Sequence, residues 1–175
     1  ALARRLRLRP TTVSHLVQEL LDDGLVAERR GRGTGRSGRP QAAIVAVPGR
    51  LAAVSLCVES RELRASLVDL AGRVLASDAR ALEAGADNRA IERSLEALVG
   101  GLADRAPTAS SVVGAGLSLV GTVDPSGPTW VSAARWPRLR SLRLGPVAGR
   151  LGLPVRASRS LDTALALHLE GERTT

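Results

Sequence analysis

The chain contains no phenylalanine, tyrosine, methionine or lysine, and only one cysteine and two histidines. The single cysteine, Cys57, excludes an internal disulfide framework and a cysteine-built structural zinc site, and makes a reducing cytoplasm the default compartment. With Trp130 and Trp136 as the only aromatic residues, a core must be assembled from leucine, valine, alanine and isoleucine. No apolar run approaches the roughly 20 residues that a membrane-crossing helix needs, and no secretory leader is visible, so no membrane partner is expected. Every basic residue is arginine, a pattern that a GC-rich coding bias produces as readily as a function does. What remains, 44% hydrophobic and 24% charged residues over 175 positions, is the composition of a globular protein. The length allows one sizeable core or a small unit joined to a larger one.

The positive charge is concentrated at one end. Over residues 1–50 ten arginines face Glu19, Asp22, Asp23 and Glu28, which leaves six of the eight net positive charges in that segment. Half of those arginines lie in ERRGRGTGRSGRP, Glu28 to Pro40, a stretch that also holds four glycines. A localised excess of this kind points to a polyanionic partner, although a solvated Arg/Gly linker has the same composition.

The residues in front of the stretch favour the first meaning. ALARRLRL has helical composition, Arg9-Pro10 breaks it, and Thr11 and Thr12 are candidate caps for a second helix. In that helix Val13, Leu16, Val17, Leu20 and Leu21 share one face, and Gly24 closes it. Two short helices joined by a tight turn form the helix-turn-helix pattern, whose second helix enters the major groove by its N-terminal end. Arg9, Thr11, Thr12, Ser14, His15 and Gln18 are then offered to bases and phosphates, although His15 by itself would suit a solvated surface equally well. LVAER and QAAIVAV read as the two strands of a hairpin, with the basic stretch as its tip, a wing. Arg29, Arg30, Arg32, Arg36 and Arg39 would follow the phosphate backbone or enter a narrow minor groove. RNA recognition would call for aromatic residues among them, and there are none.

Beyond Pro48-Gly49-Arg50, LAAVSLCV and RELRASLVDLAGRVLASDAR alternate as antiparallel strands with a turn at Ala71-Gly72. Ile91, Leu95, Leu98 and Leu102 mark a helix capped by Asp87 or Asn88. SVVGAGLSLV returns to a buried strand before a Gly/Pro turn, so an α/β layer with the helix on the sheet is expected.

The order of LARRLRLRPTTVSHLVQELLDDGLV, SGRP, LVDLAGRVL, VVGAGLSLVGTVDPSG and LGLPV resembles the ROK family of sugar-responsive repressors and sugar kinases, over nearly the whole chain. The resemblance implies an α/β protein: an N-terminal winged helix-turn-helix over 1–47, its first helix missing, then the first lobe of an actin-like, sugar-kinase-type domain over 48–175. It also implies a double-stranded DNA operator, a sugar or sugar-derivative inducer, and a homo-oligomer when full length. The family continues beyond such a lobe with a zinc-binding segment and a second lobe, so the sequence reads as a fragment.

Departures from the family pattern argue against an enzyme. Where its kinases carry an Asp-x-Gly-x-Thr turn for ATP phosphates, counting back from Asp69 puts Cys57, Glu59 and Arg61. Where they carry an Asn-Asp pair with a catalytic base, aligning on Leu153-Pro154-Val155 puts Arg159 and Ser160. Asp162, two residues on, suits a surface or capping role. Val120 precedes Gly121 where the family has Pro-Gly, and the sugar-contacting asparagine expected near Ala134 and Arg135 is absent. Cys57 and His168 suit ordinary packing better than metal binding. The sequence therefore reads as a repressor of carbohydrate-related genes without cofactor or metal, against the alternatives of an ATP-dependent sugar kinase and a non-functional remnant.

Overall fold

The computed structural model describes residues 2–30, 42–124 and 126–160, and of Arg30 and Ala42 the backbone alone. Arg32, Arg36, Arg39, Asp162 and His168 lie outside the described residues. Two helices, α1 (Leu2–Leu6) and α2 (Pro10–Asp22), precede an antiparallel ribbon of β1 (Val26–Arg30) and β2 (Ala42–Ala46). A single 3-10 turn, Pro48–Arg50, leads into β3 (Leu51–Glu59), β4 (Glu62–Asp69) and β5 (Val74–Ala81). Then come α3 (Asn88–Ala103), β6 (Ser111–Leu119), β7 (Thr122–Asp124), β8 (Thr129–Ser132), β9 (Leu142–Arg143), α4 (Gly145–Leu151) and β10 (Val155–Arg159).

The five-stranded sheet runs β10-β6-β3-β4-β5. Its first three strands are parallel, while β4 is antiparallel to both neighbours. The protein is thus a mixed α/β structure. Pleating sends alternate residues to opposite faces, and in β3 this buries Ala52, Val54, Leu56 and Val58 while Ser55 and Glu59 stay exposed. Leu63, Ala65 and Leu67 of β4 and Ala115, Leu117 and Leu119 of β6 extend the same apolar face.

Helix α3 covers that face with Ile91, Leu95, Leu98, Val99 and Leu102, at the spacing expected from the sequence. Each leucine fully removed from water contributes roughly 1.5–3 kcal/mol. Asp87 caps the helix by accepting from the Ala90 amide at 2.9 Å. Asn88, the alternative cap, instead bridges to Arg140, donating to its carbonyl at 2.7 Å and accepting from its amide at 3.0 Å. From α4, Arg150 reaches Glu96 at 2.6 Å and Glu92 at 3.3 Å on α3.

The small sheet β7-β8-β9 carries the two tryptophans into the same core. Their rings meet edge to face, 5.7 Å apart and inclined by 74°. Trp130 Nε1 donates to the Val120 carbonyl at 2.8 Å, whereas the buried Trp136 Nε1 has no partner among the described residues. Gly121, with φ near +90°, approaches the Ser132 carbonyl so closely that any side chain would collide with it. No helix among the described residues is long and apolar enough to cross a membrane.

The turn between β4 and β5 depends on one buried carboxylate. Asp69 Oδ1 accepts from the Ala71 and Arg73 amides, both at 2.9 Å, and Oδ2 accepts from Arg73 Nε at 2.7 Å. Burial alone would raise its pKa, but these amides and the guanidinium outweigh it and hold the carboxyl below its ordinary value. A carboxyl lowered by folding stabilises the fold above its unfolded pKa, and the contribution disappears as pH falls through the folded value. Urea unfolding of Asp69→Asn should therefore show a loss of stability at neutral pH that shrinks as the pH drops below about 4. A gap that stays constant across that range would rule out the ionised carboxylate as the source.

Candidate nucleic-acid interface

Between α1 and α2 the chain turns within three residues. Arg7 adopts a left-handed conformation with φ near +54°, and the Leu8 amide returns to the Ala3 carbonyl at 3.0 Å. Arg9 is extended and occupies the cap position with Pro10 first in the helix, which corrects the expectation that Thr11 or Thr12 would be the cap. The reason lies in proline, whose fixed φ and missing N–H suit the first helical position and leave the preceding residue extended. Thr11 and Thr12 consequently sit exposed in the first turn, where backbone N–H groups lack helical partners.

A second correction concerns the apolar face. Val13, Val17 and Leu21 are half-buried, but Leu16 and Leu20 remain 43% and 38% exposed, and α2 has no fully buried residue. Periodicity identifies which residues share a face but not what covers them, and the packing of α1 and β1 against α2 leaves these two leucines exposed.

The C-terminal end of α2 is closed by two backbone bonds. Leu25 N donates to the Leu20 carbonyl at 2.9 Å and Gly24 N to the Leu21 carbonyl at 3.0 Å, with Gly24 left-handed at φ near +68°. Over this end lies Arg50, whose Nε and Nη2 each approach the Asp23 carbonyl at 3.4 Å. A cation there also suits the negative end of the helix dipole.

The charges along α2 are polarised. Arg4, Arg5, Arg7 and Arg9, all exposed, precede its N-terminus, and Glu19, Asp22 and Asp23 occupy its C-terminal end. An anion is favoured at the first end and repelled at the second. Among the residues expected to face DNA, Ser14 is exposed, and its Oγ donates to the Pro10 carbonyl at 3.0 Å. His15 and Gln18 project from exposed positions, paired with Glu19 at 3.3 Å and Asp22 at 2.9 Å respectively. These acidic partners were not identified from the sequence, although both pairs have the i, i+4 spacing that would have revealed them. Arg29 is exposed on β1, in register with Ala43 of β2, and Arg30 faces Ala42. Thr11, Thr12, His15 and Gln18 thus belong to one short helix that Arg9 precedes at the cap, with Arg29 and Arg30 on the adjoining ribbon.

At the other end of the molecule, β3, β6 and β10 bring their C-terminal ends to one sheet edge, the usual place for a ligand in an open α/β sheet. Glu59 occupies that edge and pairs with Arg64 Nε at 3.1 Å, while Arg64 Nη2 reaches Glu62 at 2.7 Å. Burial raises the pKa of the Cys57 thiol, and the Glu59 charge beside it pushes in the same direction, so it stays protonated. Ser160 Oγ is buried without a partner among the described residues. Ala134 and Arg135 are exposed in the loop before Trp136.

No family description and no curated sequence matches the chain. Solved structures do, and they are ROK-family proteins. The fold is similar to that of a ROK family transcriptional regulator, a homologue of the Escherichia coli MLC protein, with TM-score 0.67 and 21% identity over 90% of this chain and 40% of that one. It is similar also to a ROK family glucokinase from Streptomyces griseus solved with glucose and AMPPNP, with TM-score 0.52 and 23% identity over 62% of this chain and 33% of the kinase. A Parabacteroides distasonis glucokinase gives TM-score 0.55 and 15% identity over 63% of this chain and 31% of the kinase. The chain spans less than half the length of each.

Gly24 offers a direct check on the helix end. A Cβ there would meet Arg50 Nε at 3.3 Å on a backbone already left-handed, so Gly24→Ala should cost about 1–2 kcal/mol. Native-state hydrogen exchange should show faster exchange for the amides of α2 and Leu25, with those of β3, β4 and β6 unchanged.

Proposed function

We propose that the chain is a DNA-binding transcriptional regulator. In this reading residues 1–47 are a winged helix-turn-helix and residues 48–175 the first lobe of an actin-like, sugar-kinase-type domain that acts as effector without catalysing phosphoryl transfer. The observation that carries it is the juxtaposition of an arginine-flanked helix N-terminus with an antiparallel ribbon leading into an arginine-rich stretch. Such an arrangement suits a duplex, with the helix in the major groove and the wing along the phosphates. The similarity to the regulator over 90% of the chain, against 62% for the Streptomyces kinase, supports the same assignment. Repression of carbohydrate genes, a sugar-type inducer, assembly into a homo-oligomer and action in the cytoplasm follow from that likeness as further parts of the proposal.

The kinase alternative meets a chemical obstacle at the sheet edge. A carboxylate at Glu59, tied to Arg64 and thereby to Glu62, stands at the turn where phosphate oxygens would need backbone amides and a neutral approach. Ser160 cannot accept the proton of a sugar hydroxyl near neutral pH without an activating base.

Two measurements test these halves separately. If Arg29, Arg30, Arg32, Arg36 and Arg39 bind phosphates, alanine at any two should weaken binding to all duplexes alike and flatten the log–log salt dependence by about 0.9 for each phosphate that is no longer neutralised. An unchanged slope in fluorescence anisotropy would return the stretch to a linker. For the lobe, calorimetry should detect no magnesium-dependent ATP binding, and steady turnover with ATP and a hexose would establish the kinase instead.

A further inference from the structure

We propose that residues 161–175 of this chain dock, as an amphipathic helix, on the face of the five-stranded sheet that α3 and α4 leave open. These two helices share the other face: Arg150 of α4 reaches Glu92 and Glu96 of α3, and Val147 of α4 lies in the same core. Parallel strands are normally covered on both sides, and β10-β6-β3 is a parallel set. Among the described residues α1 and α2 pack on each other and α2 on β1, so no helix is left for the second side.

That side is apolar at one end. Ala53, Val68 and Val74 lie in register across β3, β4 and β5, with Leu70 and Val113 beside them, and Val74 and Val113 are 62% and 52% exposed. Towards the ends of β3, β6 and β10 the surface becomes a groove of about 380 Å³ lined by Ser55, Gly116, Ser118, Arg156 and Ser158. Gly116 is the informative position there. Gly114 in the same strand is accounted for by the Pro154 carbonyl, 2.8 Å from where a Cβ would stand, whereas no described atom lies within 4 Å of a Cβ at Gly116. A glycine weakens a strand interior and often marks the close approach of another backbone, which no described residue supplies here.

The occupant follows from the chain itself. β10 ends beside the groove, and the backbone is already helical at Ser160. In the residues after it Leu161, Ala164, Leu165 and Leu169 recur at the 3, 4, 8 spacing, with His168 beside them and Leu167 on the opposite side. A helix of that length spans about 22 Å, against about 30 Å for a strand as long as β3, so it reaches from the end of β10 across the groove towards the valine row. Its acids Asp162, Glu170 and Glu172 outnumber Arg173, which suits the Arg156 side of the groove. Tethering to β10 also gives the segment an effective concentration on the order of millimolar, an advantage that a second copy lacks.

Cys57, the only cysteine, alternates with the buried Leu56 and Val58 and so lies on the open side, in register with Ser118. It reports the cover directly. In the 175-residue chain, alkylation of Cys57 by an uncharged maleimide at about pH 8 should be slow, and Leu165→Asp or Leu169→Asp should accelerate it about tenfold. Leu167→Asp should leave the rate unchanged. Equal rates in the parent, Leu165→Asp and Leu169→Asp would overturn the proposal, and protection that disappears on dilution would give the face to a second copy and overturn it too. Gly116→Val supplies a measurement that does not need the segment variants to fold. On an open strand a β-branched residue should raise the urea midpoint relative to glycine, whereas beneath a docked helix it should lower it. A raised midpoint would overturn the proposal by itself.

Discussion

Covering a single face of the five-stranded sheet with α3 is the constraint on which the rest of the structure depends. Without phenylalanine, tyrosine or methionine, the chain fills this layer with branched aliphatic side chains: Leu56, Leu63, Leu67, Leu117 and Leu119 from the strands against Ile91, Leu95 and Leu102 from the helix. Small, regular side chains of this kind pack densely only where strand register and helix face agree, so the register of β3 with β4 and β6 has little freedom. The tryptophan pair extends the layer beneath β8 and supplies the bulk that the leucines lack.

From that layer the positions of both ends of the sheet follow. At one end β3, β6 and β10 finish together and bring Glu59 and Ser160 to a common edge. At the other, the Pro48–Arg50 turn is held from two sides. Leu70 N donates to the Pro48 carbonyl at 3.3 Å and Ser110 Oγ to the Gly49 carbonyl, while Arg50 reaches the Asp23 carbonyl at the end of α2. The helix end is therefore hydrogen-bonded to the Pro48–Arg50 turn, which is itself hydrogen-bonded to Leu70 at the end of β4. Individually these bonds are modest, and those at 3.4 Å are long for full strength.

The electrostatics of α2 give the proposed interface a direction. Arginines before the helix and the unpaired amides of its first turn attract phosphate, whereas three acids at its far end repel it. A duplex would therefore meet this helix by its N-terminal half. Two of those acids also engage polar side chains one turn earlier on the same helix: Glu19 lies 3.3 Å from His15, and Asp22 accepts from Gln18.

Much of this architecture is local and was legible in the sequence. The apolar spacing of α3, the alternation of β3, the Ala71-Gly72 turn, the closing glycine of α2 and the two strands around the basic stretch all arise from neighbours a few residues apart, where backbone preference and side-chain period act directly. The position of Arg9 at the cap was within reach as well, since proline favours the first helical position. What only the tertiary structure decided depends on residues far apart in the chain or on which surfaces meet. Leu16 and Leu20 keep the period of a buried face and are exposed, because burial is set by the packing partner and not by the spacing. Glu59 is engaged by Arg64 because β3 and β4 align in their observed register, and Asn88 is drawn from the cap to Arg140, 52 residues away. Asp69 is ionised inside the fold because the β4–β5 turn folds two amides and a guanidinium around it. A sequence states the period and the charge of each segment, but the choice of partner for a polar group is made by the packing of the whole chain.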